Sequence, residues 1–301
     1  MGTHIEAAAT AQPHGLFGRS ALRLSDLAAT TCLDRAQRHP SELDLLINAG
    51  LYKDRNAAEP ALASIIQCNI GANRGDPPRM GGHGTFSFDV LNGGCSVITA
   101  AQLIDGFVGA GTAKLGLIVA ADADPSPRTS RGFPFQPAGG AMLIAHVPGD
   151  AGFQCFALHT FPEHAPLFEI ELRWNPKAGL TRRGANVVEV YEAPGFASCC
   201  VERAAEVAVH LLADAGLSAR DVDIMLASQY PTDFAKQVAR RLGIHLDCVP
   251  EVAPGLAAVH TAGPIAALEA AIRSRRFAGA RHTLFVTAGA GVTIGAALYR
   301  A

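Results

Sequence analysis

The sequence predicts an α/β fold built twice over. Short apolar runs that read as buried strands, such as Leu45-Leu46-Ile47, Lys114 to Ala121, Ile224-Met225-Leu226 and Arg281 to Thr287, alternate with longer amphipathic stretches that read as helices. The order of these pieces in the first half recurs in the second, a repeat too long for a solenoid and suited to a duplicated unit. A composition with 31 glycines and abundant alanine favours close packing of helices on sheets. Alternation of this kind predicts mixed sheets covered by helices on both faces.

Taken in order, the first half opens with a helix from Leu24 to Arg38 and a buried strand from Asp44 to Gly50. A second helix runs from Pro60 to Ile70, with proline in its first turn. A Gly/Pro-rich loop, Asn73 to Gly84, leads to a strand at Ser87 to Leu91 and a long helix from Cys95 to about Ala110. Strands follow at Lys114 to Ala121, Ala138 to Val147 and Gly152 to Thr160. Residues 161–198 differ in character, holding the single Trp174 and mixed charge, and read as a connecting or capping segment. Glu169 and Glu171 alternate along a strand there and read as a solvated face. The pattern then restarts: helix Val201 to Ala215, strand Asp221 to Ser228, helix Thr232 to Leu242, a helix opened by His260 and running to about Ser274, and closing strands Arg281 to Thr287 and Gly291 to Tyr299. The predicted domains are therefore 1–160, a connecting segment 161–198, and 199–301.

The 301 residues, 49% hydrophobic and 17% charged, are enough to bury a large core or two fused halves. A net charge of −2 with scattered Lys and Arg gives no nucleic-acid surface. Seven cysteines, an odd number at spacings that fit neither a disulfide framework nor a zinc site, point to a reducing, cytosolic setting. Met1 to Gly15 lacks the basic-then-apolar pattern of a secretory signal, and Glu6 stands where a myristoylation signal wants Ser or Thr. No apolar run reaches membrane-spanning length.

Two residues stand out chemically. Cys95 follows the turn-forming Asn92-Gly93-Gly94 and opens a helix, where unpaired N–H groups and the helix dipole favour a thiolate, the form that attacks thioesters. A free cysteine is more often a small buried hydrophobe. His260 decides between the two readings, because it opens the corresponding helix of the second half. If the halves pack about a pseudo-two-fold axis, thiol and imidazole meet in one pocket, as nucleophile and base. Other patterns are set aside. His83 reads as a loop histidine, and His159, His164, His245 and His282 have no metal-ligand spacing. Gly289-Ala290-Gly291 joins two strands, so it is no dinucleotide fingerprint. Val97 stands where a hydrolase elbow wants Gly. Cys32, Cys68, Cys155 and Cys248 read as core.

The sequence resembles the thiolase superfamily, specifically the β-ketoacyl-ACP synthase III-like condensing enzymes. Three segments carry the resemblance: Phe88 to Gln102, like the nucleophilic-Cys motif; Val259 to Ile272, like the Gly-His-Thr-Leu-Gly-Ala-Ala-Gly motif; and Ala288 to Leu298, like the closing Gly-rich hairpin. The resemblance implies a five-layer αβαβα thiolase-like fold and an acyltransferase of fatty acid, polyketide or secondary metabolism. It implies that Cys95 accepts an acyl group from a CoA or acyl-carrier-protein thioester, with the N–H groups of Cys95 and Gly291 as oxyanion hole and His260 polarising the thioester or taking a proton. No cofactor is implied beyond the CoA or phosphopantetheine thioester substrate, and a homodimer pairing along Ser87 to Leu91 is expected.

The departures shape the expectation. Where synthases of the third type carry Pro-His-Gln-Ala-Asn, this chain reads Ala227-Ser228-Gln229-Tyr230-Pro231, so Ser228 stands for the His. Where they carry Asn, it has His260. The expected catalytic set is Cys95, His260, Ser228 and Gln229. Gln229 donates a hydrogen bond but is no base, which favours plain acyl transfer over decarboxylative condensation. The N-terminal segment that clamps the CoA nucleotide in that family is missing, which favours a carrier protein over CoA as donor, with Arg128, Arg131, Arg182 and Arg183 as candidate phosphopantetheine or carrier contacts. The alternative is a non-catalytic thiolase-fold subunit that supports an active partner.

Overall fold

The computed structural model describes residues 2–14, 19–56, 59–73, 84–127, 130–177 and 185–301. The first half runs β1 (Gly2–Ala11), α1 (Ala21–Ala36), β2 (Leu45–Asn48), α2 (Leu62–Ile70), β3 (Phe86–Asp89), α3 (Ser96–Gly109), β4 (Leu115–Asp122) and β5 (Ala138–Val147). The second half runs β6 (Gly152–Thr160), β7 (Phe168–Asn175), β8 (Ala185–Glu192), α4 (Phe196–Asp214), β9 (Ile224–Ala227), α5 (Phe234–Leu242), α6 (Gly263–Arg273), β10 (His282–Gly289) and β11 (Thr293–Arg300).

Local chemistry explains the helices. Ser20 caps α1 by accepting the Arg23 N–H, and the helix buries Leu24, Ala28 and Cys32 on one face before Gln37 turns left-handed and ends it. β2, β4 and β9 bury every residue, as strands covered on both faces must.

The strands form a five-stranded sheet in the order β1-β5-β4-β2-β3 and a four-stranded sheet in the order β6-β11-β10-β9, with β7 and β8 pairing as a separate hairpin. α1 and α2 cover the outer face of the first sheet through Leu24, Ala28, Cys32 and Ile66. α4 and α5 cover the outer face of the second through Ala204, Leu211, Phe234 and Val238. α3 and α6 lie between the two sheets, where Val97, Ile98, Ile265 and Leu268 pack with β2, β4, β9 and β10. The result is the expected αβαβα arrangement of mixed-sheet halves.

The duplication holds to the residue. Leu45 pairs with Gly116 in the first sheet and Ile224 with Thr283 in the second, each one residue into β4 or β10. Asp122 and Gly289, the last residues of those strands, are therefore equivalent. Two expectations need correction. Gly152 to Thr160 pairs with β11 and opens the second half as the counterpart of β1, so the sheets divide near residue 150 rather than at 160 or 199. The N-terminal residues, for which no strand is predicted, form β1 and pair with Gly139 to Val147 of β5. The segment 161–198 is the β7–β8 hairpin and its flanks, with Glu169 and Glu171 exposed as predicted.

Candidate active site

Cys95 is the N-cap of α3, reached through a tight turn at Gly93–Cys95. Both glycines before it are required. Gly93 has φ +51, and a Cβ on Gly94 would lie 2.0 Å from the Ala288 carbonyl oxygen. The start of α3 thus rests on the end of β10, a strand of the opposite half. A Cβ on Gly289 would lie 3.1 Å from the Gly94 nitrogen and 3.7 Å from that of Cys95, so the turn between β10 and β11 covers the helix start. Gly291 lies in that turn with φ +114.

The thiol is fully buried, and its Sγ–H donates to the Thr293 carbonyl at 3.4 Å. Burial pushes the Cys95 thiol up to about 11, against smaller lowering contributions from Thr287 and the Gly295 backbone. Burial therefore works against the thiolate that the helix start is expected to favour. The Cys95 N–H, expected in the oxyanion hole, donates to Asn92 O at 3.0 Å.

His260 sits in the loop before α6, whose N-cap is Ala262. Aligned by their caps, Ala262 stands opposite Cys95, so the expected equivalence of Cys95 and His260 is off by two residues. The imidazole is mostly buried, with ring centroids 4.3 Å from Phe135 and 5.2 Å from Tyr52. Its Nδ1 lies 3.3 Å from Oδ2 of Asp122. The crossing is symmetrical: α3 leans on the end of β10, and the loop before α6 leans on the end of β4.

The two sides meet through a continuous set of contacts. The Ala288 N–H donates to the Ser228 hydroxyl at 3.2 Å. A Cβ on Gly263 would lie 2.7 Å from the Gln229 nitrogen, and the Gly263 N–H donates to His260 O at 3.2 Å. No hydrogen bond joins the Cys95 sulfur to the His260 ring among the described residues. The structure brings both to the carboxyl ends of β4 and β10 without placing them in direct contact.

Ser228 is buried and its hydroxyl ties β9 to β10, while the Gln229 side-chain amide donates to Ala227 O at 2.9 Å. Arg131 faces Glu189 of the hairpin at 3.6 Å. Arg128, Arg182, Arg183 and His83 lie outside the described residues. No cluster of His, Cys, Asp and Glu able to hold a metal occurs among the described residues.

Asp122 is the residue that sequence reasoning missed. The signal was present: one acid closes an otherwise apolar strand, Leu115 to Ala121, at its carboxyl end, where α/β sheets place their sites.

Comparison with known proteins agrees with this architecture. Residues 212–301 match the family model described as 3-oxoacyl-[acyl-carrier-protein (ACP)] synthase III C terminal. The β-ketoacyl-[acyl-carrier-protein] synthase III of Rhizorhabdus wittichii is 25% identical over 94% of this chain and 85% of its own. That of Xylella fastidiosa is 28% identical over 94% of this chain and 84% of its own. This chain has the thiolase-like fold and is similar to the synthases of the third type. The solved 3-oxoacyl-[acyl-carrier-protein] synthase III of Aquifex aeolicus superposes with TM-score 0.81 at 19% identity, covering 100% of both chains. Xanthomonas campestris OleA, solved with bound lauric acid and lauroyl-CoA, superposes on this synthase III-like fold with TM-score 0.80 at 16% identity, covering 100% of this chain and 99% of its own.

Proposed function

We propose that the chain is an acyltransferase of the ketosynthase III-like type. Cys95 takes an acyl group from an acyl-carrier-protein or CoA thioester and passes it to a second substrate. The observation that carries this reading is the crossed placement of the Cys95 thiol and the His260 imidazole at the ends of β10 and β4. A thiol whose pKa is pushed up to about 11 does not attack unaided near neutral pH, so its proton must leave as the C–S bond forms. His260 is the base held at the same end of the sheets. The neutral pair Ser228 and Gln229, each already bonded to backbone, favours transfer of the intact acyl group over decarboxylative condensation. The names of the synthase III relatives supply the thioester substrate class.

The protein acts without a bound cofactor, and as a homodimer joined along β3. It works in the cytosol, a reducing setting that its seven free cysteines suit.

Intact-protein mass spectrometry after incubation with acyl-CoA and acyl-carrier-protein donors tests the reading. A mass increase equal to the acyl group, lost in Cys95→Ala, is expected. No adduct with any donor, together with a stable complex with a second thiolase-fold chain, would assign the non-catalytic role instead.

A further inference from the structure

Asp122 is the one charged residue of β4, and it is 2% exposed. Its Oδ1 accepts the N–H groups of Leu51 at 2.9 Å and Tyr52 at 2.7 Å. Its Oδ2 accepts the Thr261 N–H at 2.9 Å and also the Thr261 hydroxyl. His260 Nδ1 lies 3.3 Å from the same Oδ2, off the line of a hydrogen bond, and this buried nitrogen has no other partner. An ion this deep needs several donors or a cation to persist, and donors converge on Asp122 from both halves of the chain. Burial alone would raise this carboxyl, but His260, Thr261 and the Tyr52 N–H together hold it below the usual carboxylate range.

We propose that Asp122 is the positioning residue for His260, fixing its tautomer and orientation and stabilising the imidazolium formed when it takes a proton. The proposal rests on the acyl-transfer reading above. In the neutral ring, the nitrogen facing a carboxylate carries the proton, so Nδ1 is the N–H and Nε2 keeps the lone pair. As the Cys95 sulfur bonds to the acyl carbon, its proton passes to Nε2. When the C–S bond of the donor thioester breaks, that proton goes to the departing thiolate. Between the two events the ring is positive, with the fixed charge of Asp122 beside it. Phe135 and Tyr52 wall the ring, so it cannot turn freely to offer another edge. Thr261, bonded to Asp122 through both N–H and hydroxyl, anchors the residue next to His260 in sequence.

Two experiments decide. The first is the ¹⁵N spectrum of histidine-labelled protein, with His260 assigned by its loss in His260→Ala. A protonated Nδ1 and a bare Nε2 are expected; the opposite tautomer overturns the proposal, whether or not the protein acylates. The second is the kinetics of Cys95 acylation in Asp122→Asn. The rate constant is expected to fall about 10²- to 10⁴-fold, the scale of a lost acid–base function, with the thioester KM changed less than about twofold. In a His260→Ala background the same substitution is expected to cost less than about threefold, since the two residues act as one unit. Equal losses in both backgrounds, or a loss carried by KM, would leave Asp122 as a loop anchor only and overturn the proposal. Should Asp122→Asn fail to fold, the tautomer decides alone. Should the wild type acylate with no donor, the acyl-transfer reading fails while the tautomer still judges the pairing.

Discussion

A thiol is only as reactive as its ionised fraction, and Cys95 spends little time ionised. With its pKa pushed up to about 11, the thiolate is about one part in 10⁴ at pH 7, and its abundance rises tenfold with each pH unit. Alkylation of Cys95 by iodoacetamide, followed by peptide mass spectrometry, is therefore expected to accelerate about tenfold per unit between pH 7 and pH 10. A rate already level at pH 7 would mean that the thiolate is stabilised in the resting state. Asp122 sets a second pH dependence, of the same sense but in the acid range. Its carboxyl is held low in the folded chain, so its contribution is complete above about pH 4, the unfolded value, and is lost as pH falls through the folded value. Asp122→Asn is expected to cost about 1–3 kcal/mol at pH 7 in urea unfolding and less at pH 3. Sequence placed Cys95 at a helix start, set His260 two residues too far into the corresponding helix, and took no account of the thiol's burial, because a helix N-terminus is visible in sequence and the solvent lost around a side chain is not. Asp122 escaped because its partners, Leu51, Tyr52 and Thr261, are far from it along the chain.

At the scale of elements, the site depends on how closely strand ends and helix starts approach. The Gly94 backbone lies against Ala288 O so tightly that a methyl group has no room. Gly94→Ala is expected to cost about 1–3 kcal/mol or more by displacing α3 from β10, and to abolish acylation by moving Cys95; thermal unfolding and intact mass read the two effects. The elements themselves were largely legible, since β2, β4, β9 and β10 are short buried apolar runs with few alternatives. β1 was not, because Gly2–Ala11 is alanine-rich and lacks the β-branched signature; its place is fixed by pairing with β5 instead. β6 was recognised as a strand but assigned to the wrong half, since its partner, β11, lies at the other end of the chain. Partner choice is a non-local fact, and local pattern carries none of it.

For the whole molecule, the unanswered edge is β3. It closes the first sheet, so one side of Phe86–Asp89 lacks a strand neighbour among the described residues. An edge strand meant to stay single is usually guarded by outward charge, and this one is not. Its acid, Asp89, is turned inward to Lys53 and to the N–H groups of Leu62 and Ala63. Phe86 is 57% exposed and Leu91 55%, and Phe86 packs beside Phe88 and Phe107 in an aromatic patch along this edge. A second copy pairing antiparallel along β3 would satisfy the open backbone groups and cover the patch in one step, with the self-complementarity that two-fold dimers require. Placing a charge there should undo it. The wild type is expected to sediment as a dimer at micromolar concentration and Phe86→Lys as a monomer, with little change in far-UV circular dichroism. The same substitution bears on the site, because the strand leads through Asn92 into the turn that holds Cys95. If the dimer steadies that turn, acylation slows along with dissociation; a monomeric variant that acylates at the wild-type rate would show that each chain carries its own complete site.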